Sequence, residues 1–345
     1  MLKHGVVVSG GLFAALVALL LLADLSLALY AVLQAPFPAV VPLGTPMAYK
    51  NIYLHVPIAV STYVLFAGAL VSALMYMRTE SLKWARRMDS FVLYGILYAA
   101  ATLATGSAWA SESWGTPWNW DPKQTAVLFL FLAFLGYYPL KKSIPDPERR
   151  WRVLAAYVTA AFVLVPMSFM ASRAFESLHP TTEALEQYTE GGPGGLIVGL
   201  RITMLMALGL ALAFARAEGL KMPRVLAALP LLFLALAFAA GFAGGVGSEG
   251  DRVVSVALGP NGTIASIALA SGENVTFNPP VESPIRPPVV ERNGTIASTL
   301  LGHLVDAGPD GLRVLYHWST PFTFIVYTIL LAAGIILAGG SGRDE

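Results

Sequence analysis

The sequence predicts an all-α polytopic membrane protein with eight transmembrane helices and a small extracytoplasmic β-rich insertion between helices 7 and 8. Two properties of the composition predict this fold class: 56% of the 345 residues are hydrophobic, and only 12% are charged. Soluble domains carry about 25% charged residues. The third observation is that the apolar residues fall in blocks of roughly twenty, the length that crosses a bilayer.

The composition also excludes several kinds of partner and site. The formal net charge is +1, so the chain shows no excess of cations that would favour nucleic acid. The absence of cysteine excludes disulfides, thiolate metal sites, iron–sulfur clusters and a catalytic thiol. The partner that this composition does favour is membrane lipid.

The eight predicted spans follow one another along the whole chain. They cover residues 6–33, 52–77, 91–109, 125–140, 153–171, 196–215, 225–246 and 321–338. The first is long and has no obvious small-residue cleavage site, which favours a retained span over a signal peptide. The fourth is the shortest, and Pro166 is predicted to kink the fifth.

The distribution of cations predicts the orientation. Alternate connections between spans are rich in Lys and Arg, and such connections face the cytoplasm. They contain Arg78, Lys83, Arg86, Arg87, Lys141, Lys142, Arg149, Arg150, Arg152, Arg216, Lys221 and Arg224. With eight spans, both termini are expected in the cytoplasm, and the protein is expected in the plasma (inner) membrane.

Four segments are then expected outside, at residues 34–51, 110–124, 172–195 and 247–319. The last contains two runs rich in β-branched residues, Val253–Leu258 and Ile264–Leu269, separated by Gly-Pro-Asn-Gly, a pattern typical of a hairpin. We therefore divide the chain into a six-helix membrane domain at residues 1–220, with a tryptophan-rich loop at 109–125, and a second part at 221–345. The second part is two further helices that flank the β-rich loop 247–319.

The tryptophan-rich loop is the most specific feature of the sequence. Trp114, Trp118 and Trp120 are three of the seven tryptophans and lie within seven positions. One interpretation is an aromatic belt at the membrane interface. Because a belt spreads its tryptophans over several helices, and Gly115 shapes this loop, we favour a flat hydrophobic platform for a planar aromatic ligand. Asp121, followed by proline, could simply start the fourth span as its N-cap.

Two histidines are predicted to flank this loop on the same outer side. His55 lies at the outer mouth of the second span, and His179 follows the fifth span. Either imidazole alone is more typical of an interfacial capping group than of a ligand. Together, beside an aromatic surface and without cysteine or an acidic cluster, they are suited to a six-coordinate haem iron.

A haem would also bring two propionates, for which the outer side offers several cations. Arg173 is the best candidate because it lies near His179 and its guanidinium can bind a carboxylate through two bonds. An ion pair with Glu176 is an equally favoured alternative. The other candidates are Lys50, Lys123 and Arg201.

The remaining histidines are less informative. His317, which precedes Trp318 and the last span, is compatible with a third ligand, a transient docking site or an element of the aromatic belt, and we favour the belt. His303 lies in the β-rich loop, and His4 lies at the cytoplasmic terminus.

These motifs resemble those of the haem-handling proteins of cytochrome c biogenesis, most closely the branch of cytochrome c maturation protein C. The pattern WGxxWxWD at residues 114–121 is similar to the tryptophan-rich outer signature of the family. His-Val-Pro at 55–57 and Ser-Leu-His-Pro at 177–180 resemble its two histidine motifs. The resemblance covers about residues 1–220, while the last two spans and the β-rich loop lie beyond the usual six-span body.

The resemblance implies a function in haem delivery rather than catalysis. It implies that His55 and His179 are axial ligands of a transiently bound haem b at the extracytoplasmic face. The loop supporting the haem would contain Trp114, Gly115, Trp118, Trp120 and Asp121. The implied acceptor is a haem chaperone or apocytochrome c, and the implied partners include ABC-type transporter subunits and a small single-span subunit. The segment 118–123 also resembles the haem-channel subunit of the synthase-type system.

Three other interpretations stay open. A membrane b-type cytochrome in electron transfer would usually place its histidines mid-span, whereas none is predicted there. A transporter of haem or another small molecule would be favoured by ionisable residues within the spans, but the predicted spans are almost free of charge. Finally, the seventh span with its outer loop could be a fused, degenerate haem chaperone, an interpretation that rests on fold analogy alone.

Overall fold

The computed structural model describes residues 10–35, 37, 46–180, 193–242, 245–247, 251–285, 288–292, 295–308 and 311–340. Within these ranges the chain is mostly helical. The helices are α1 (Gly10–Leu33), α2 (Ile52–Thr79), α3 (Leu82–Trp114), α4 (Pro122–Leu135), α5 (Tyr137–Ser143), α6 (Pro147–Ala161), α7 (Leu164–Ala174), α8 (Pro193–Glu218), α9 (Ala228–Ala240) and α10 (Ser319–Gly339). A 3₁₀ segment, Pro46–Asn51, leads directly into α2.

In the described part of the chain, seven helical stretches are long and apolar enough to cross a membrane. They are Gly10–Leu33, Pro46–Thr79, Leu82–Trp114, Pro122–Ser143, Pro147–Ala174, Pro193–Glu218 and Ser319–Gly339. The protein is therefore a multi-pass membrane protein, and seven of the eight predicted spans correspond to these stretches. The predicted span 225–246 contains only a shorter apolar helical stretch, Arg224–Ala240, so the count of eight is not confirmed.

The fifth of these stretches is broken into α6 and α7, as Pro166 predicts. The break lies at Phe162 and Val163, and Phe162 is the residue whose carbonyl would accept from residue 166 in a continuous helix. Proline has no N–H to donate. The carbonyl of Phe162 accepts instead from the N–H of Val165, at 2.9 Å. The missing donor explains where this stretch bends.

Helices α2 and α3 form the centre of the bundle because each contributes to both large apolar clusters. One cluster joins them to α1, α8, α9 and α10 through residues such as Leu25, Tyr98, Leu205 and Phe324. The other joins them to α4 and α6 through Phe66 and its neighbours. This arrangement leaves the ends of α2, α3, α4 and α7 close together at one end of the bundle.

The segment between α9 and α10 forms a small β module. Its strands are β1 (Val253–Leu258), β2 (Ile264–Leu269), β3 (Asn274–Val281), β4 (Val289–Arg292), β5 (Thr295–Ser298), β6 (Val305–Gly308) and β7 (Gly311–Val314). The predicted hairpin is confirmed as antiparallel β1 and β2, and β3 pairs with β2. The described strands form one three-stranded and two two-stranded sheets, not one continuous sheet.

Candidate functional site

A cavity opens at the end of the bundle where α2, α3, α4 and α7 meet. Its open volume is about 1390 Å³, including space that is continuous with solvent. Of the eight predicted site residues, five line it: His55, His179, Trp114, Trp118 and Arg173. The fold therefore brings together two histidine motifs that are more than 120 positions apart and the loop that lies between them in sequence.

His55 lies in the first turns of α2 and is buried, with 6% of its surface exposed. Its Nδ1 lies 2.8 Å from the hydroxyl oxygen of Thr105 on α3. A Cβ added to Gly106 would lie 3.0 Å from Cε1 of the ring, so this glycine leaves the space that the imidazole occupies. The described residues provide no hydrogen-bond partner for Nε2.

His179 lies in the segment that follows α7. Its Nδ1 lies 3.0 Å from the carbonyl oxygen of Pro180. Because a carbonyl only accepts, Nδ1 carries the proton and Nε2 keeps its lone pair. Burial lowers the pKa of His179 below its ordinary value, and the nearby Lys123 cation lowers it further. This imidazole therefore stays neutral, which is the form that binds a metal.

Asp121 does not line the main cavity but holds the segment that contains His179. Its Oδ1 accepts from the backbone N–H groups of Lys123 and Gln124, at 2.9 and 3.4 Å, and so caps α4 as predicted. Its Oδ2 accepts from the Ser177 hydroxyl at 2.7 Å and from the Leu178 N–H at 2.8 Å. This second function has no signature in the sequence, because it depends on how α4 and the segment after α7 approach each other.

The tryptophan-rich loop differs from the flat platform that we predicted. Trp118 and Trp120 meet edge to face, with ring centroids 5.7 Å apart and an interplanar angle of 86°. Trp118 faces the cavity, whereas Trp120 is 70% exposed and lies outside it. Gly115 ends α3 with a positive φ of 74°, which glycine adopts without strain. The platform is therefore wrong as a single flat surface, because perpendicular rings cannot share one plane.

One further tryptophan lines the cavity. Trp109, on the last turns of α3, packs edge to face against His55 with centroids 5.9 Å apart. Its indole N–H, like that of Trp118, is buried without a hydrogen-bond partner among the described residues. We had not placed Trp109 in the site, although it lies only five positions before Trp114 on the same helix.

The structure separates the predicted propionate partners into two groups. Lys123 and Arg173 line the cavity. The Lys123 ammonium donates to the carbonyls of Ser168 and Phe169, at 2.8 and 3.2 Å, which anchors α4 to α7. Lys50 is instead buried against α1, where its ammonium donates to the Ala35 carbonyl.

Arg201 is the second of the cations that the prediction misplaced. It is fully buried between helices, where it forms an ion pair with Asp24 of α1. Tyr327 of α10 donates to the same carboxylate at 2.5 Å, and Arg201 Nε donates to the carbonyl of Tyr53 at 3.2 Å. Within α2 this carbonyl would accept from residue 57, but Pro57 has no N–H to donate. The spans are thus not free of charge, which weakens our argument against a transporter.

His317 also lies outside the cavity. Its Nε2 lies 2.7 Å from a carboxylate oxygen of Glu112, on the last turn of α3. Its Nδ1 accepts from the N–H of Ser319 at 3.2 Å, so the ring proton is on Nε2 and points to the carboxylate. Arg252 of the β module approaches the other oxygen of Glu112, at 3.4 Å. The three side chains join the β module and α10 to the end of α3.

The fold and the site together define a class: a multi-pass helical membrane protein with two histidines and several tryptophans around a cavity at one end of its bundle. The family model described as cytochrome C assembly protein matches residues 4–179. That is half of the chain, and it includes both His55 and His179 and the tryptophan-rich loop. The chain therefore belongs to the cytochrome c assembly protein family, as the resemblance predicted.

Characterised relatives agree with this assignment. Heme exporter protein C of Rhodobacter capsulatus is 33% identical over 120 residues, which cover 35% of this chain and 48% of that protein. The protein of the same name from Paracoccus denitrificans is 32% identical over 131 residues, covering 36% and 52%. That of Escherichia coli K12 is 28% identical over 145 residues, covering 41% and 57%. The chain spans about half the length of these relatives, and α8, α9, the β module and α10 lie beyond the family match.

Proposed function

We propose that the cavity binds haem b, with His55 and His179 as the axial ligands, and that the protein delivers this haem for cytochrome c assembly. The observation that carries the proposal is that imidazoles from two different elements line one aromatic cavity, each with its Nδ1 engaged. Each ring therefore has Nε2 available for an iron. The described residues contain no cluster of three or more acidic, histidine or cysteine side chains that would suit a different metal.

The rest of the cavity wall fits the same ligand. Trp109, Trp114 and Trp118 provide apolar surface for a planar ring, and two of them have indole N–H groups with no described partner. The cations Lys123 and Arg173 provide charge for the propionates. When bound, haem supplies a redox-active iron, and the residues of this chain bind it, orient it and limit its contact with water.

The family match and the relatives support a wider function in haem delivery. We propose that residues 1–220 act as the haem-handling unit, with the cavity on the extracytoplasmic side of the plasma (inner) membrane and both termini in the cytoplasm. The acceptor is a haem chaperone or apocytochrome c. The relatives' name, heme exporter protein C, supports a function among haem-transport components. The proposed partners are ABC-type transporter subunits and a small single-span subunit, as the sequence resemblance implies. In this proposal the protein binds and delivers haem and does not itself catalyse a reaction.

The visible absorption spectrum of the purified protein tests the ligands. We expect a bis-imidazole haem spectrum in the wild type, and loss or alteration of it in both His55→Ala and His179→Ala. His317→Gln is the matched control, because His317 is also an imidazole at this end of the bundle but does not line the cavity. A wild type that takes up no added haem, or a spectrum that survives both substitutions, would refute the assignment.

One observation favours a second candidate, a resident b-type cytochrome. His55 lies on a helix and is only 6% exposed, as expected of a ligand that holds haem permanently. Transfer of haem to apomyoglobin separates the two functions. A delivery protein passes its haem to the acceptor within the experiment, and a resident cytochrome keeps it.

A further inference from the structure

Thr105 is a side chain of α3 that lies within hydrogen-bond distance of His55. Its hydroxyl carries one proton, and it lies 2.7 Å from the carbonyl oxygen of Ala101, four residues earlier on α3. A carbonyl only accepts, so the hydroxyl proton points to Ala101. The lone pairs of the same oxygen then remain for His55 Nδ1, which lies 2.8 Å away. In this arrangement Nδ1–H donates to Thr105, and Thr105 donates to Ala101.

The opposite arrangement is less favourable. If the imidazole proton were on Nε2, Nδ1 would need a donor, and Thr105 would have to turn its proton away from Ala101. The Nε2–H would then point towards the aromatic cavity without any partner among the described residues. A buried donor without an acceptor is costly. Two hydrogen bonds and an Nε2 lone pair that faces the cavity are thus exchanged for one hydrogen bond and a buried N–H without an acceptor.

We propose that Thr105 is a positioning residue: it holds His55 as the Nδ1–H tautomer and so directs the Nε2 lone pair into the cavity. The identity of the ligand as haem rests on the proposed function above. Gly106, the next residue, adds the steric part of the same arrangement, because it leaves room for the ring beside α3. Thr105 and Gly106 are consecutive residues of α3. Together they determine which nitrogen of His55 carries the proton and where its ring lies.

Three variants separate this function from a general structural one. Thr105→Val keeps the shape and removes the hydroxyl, and Thr105→Ser keeps the hydroxyl. Thr203→Val is the matched control, since Thr203 donates to the carbonyl of Gly199 at 2.9 Å in the same way but is exposed on α8. All three are made in the full-length chain.

The first measurement uses the haem-free protein with ¹⁵N-labelled histidine. The chain has five histidines, and His55→Ala identifies the signals of His55. We expect the Nδ1–H tautomer in the wild type, Thr105→Ser and Thr203→Val, and a larger share of Nε2–H in Thr105→Val. A wild-type His55 protonated on Nε2, or a Thr105→Val spectrum identical to the wild type, would overturn the inference.

The second measurement is a haem titration followed by absorption. Removing a group that orients a metal ligand typically weakens metal binding about 10–100-fold. We expect a loss of that size in Thr105→Val and wild-type affinity in Thr105→Ser and Thr203→Val. Unchanged affinity in Thr105→Val would contradict the proposed positioning. A wild type that binds no haem would refute the proposed function, and the nitrogen spectra would still decide the tautomer.

Discussion

His55 and His179 reach the cavity with very different support. His55 is on a long helix, packs against α3, and donates its hydrogen bond to a side chain of α3. His179 is on a segment without regular structure and bonds to the carbonyl of its own neighbour, Pro180. The position of the His55 imidazole is therefore set by helix packing, and that of the His179 imidazole by a few local hydrogen bonds.

At the residue scale, a substitution at Gly106 tests whether the His55 ring needs the space that this glycine leaves. In Gly106→Ala the new methyl group lies about 3.0 Å from Cε1, closer than ordinary van der Waals contact, so the ring must move. We expect weaker haem binding and an altered spectrum, with little loss of folded protein. Gly199→Ala is the control, because nothing lies within 4 Å of that position on α8. Equal haem affinity in the two variants would show that the ring tolerates the shift.

The sequence predicted residues that line the cavity better than it predicted the residues beside them. His55, His179, Trp114, Trp118 and Arg173 are recognisable because their residue types and spacing follow a motif. Thr105 and Gly106 are ordinary small residues of an apolar helix, and only the register between α2 and α3 brings them against an imidazole. For the same reason the sequence could not show that Lys50 and Arg201 turn into the bundle.

At the scale of elements, Asp121 joins the start of α4 to the segment after α7. Asparagine replaces aspartate well as an N-cap, but its amide nitrogen cannot accept a hydrogen bond. In Asp121→Asn we therefore expect α4 to keep its cap while Leu178 loses its acceptor. Haem affinity should fall, and the amides of residues 177–179 should exchange hydrogen faster.

The control for this prediction is a second cap of the same kind. Asp146 precedes Pro147 and accepts from the Arg149 N–H at 2.9 Å, at the start of α6 and without contact to the cavity. Asp146→Ala should cost about 0.5–2 kcal/mol of stability, as expected for a lost cap. Its haem affinity should match the wild type. If Asp121→Asn also kept the haem affinity of the wild type, Asp121 would act only as a helix cap.

The elements themselves were largely predictable because a membrane leaves few choices. A stretch of about twenty apolar residues must be helical to satisfy its backbone, so length and composition suffice. The hairpin of β1 and β2 was predictable from Asn261-Gly262, where both residues adopt positive φ. The bend at Phe162 followed from Pro166. The perpendicular arrangement of the Trp118 and Trp120 rings could not be predicted in this way, because the path of a loop depends on the contacts that it makes with the rest of the fold.

At the scale of the whole molecule, the contacts at the two ends of the bundle indicate the path of the chain. Glu218, at the end of α8, pairs with Arg87 near the start of α3. Arg252, in the β module, approaches Glu112 at the opposite end of α3. Residues 224–240 lie between these two ends. A 3₁₀ turn of four residues and a helix of thirteen span roughly 28 Å, close to the thickness of a hydrocarbon core.

We therefore expect the β module and the connection after α5 on opposite sides of the membrane. The chain has no cysteine, so single introduced cysteines are unique labels. An impermeant maleimide should label Ser271→Cys in intact cells, and Ser143→Cys only after permeabilisation; both positions are exposed. Labelling of both from the same side would contradict the eight-span topology and the proposed outer position of the cavity.

The buried ion pair is the second feature of the whole molecule. Replacing one partner leaves the other charge buried alone, which typically costs 3–5 kcal/mol. We expect Arg201→Met to lower the free energy of unfolding in detergent by about this amount, and the double variant with Asp24→Leu to recover much of it. The exposed pair of Asp306 and Arg313 is the control, where Arg313→Ala should change stability by no more than about 1 kcal/mol.

That ion pair also has a consequence for how the protein is made. Asp24 is in the first helix, whereas Arg201 is 177 positions later and Tyr327 is 303 positions later. A lone aspartate in the middle of a bilayer costs roughly 2.5–3.5 kcal/mol on insertion scales. During synthesis, the Asp24 carboxylate of α1 therefore lacks its partner Arg201 until α8 emerges from the ribosome. Helix α1 can therefore take its final place only after α8 and α10 have been made, so this part of the bundle assembles late.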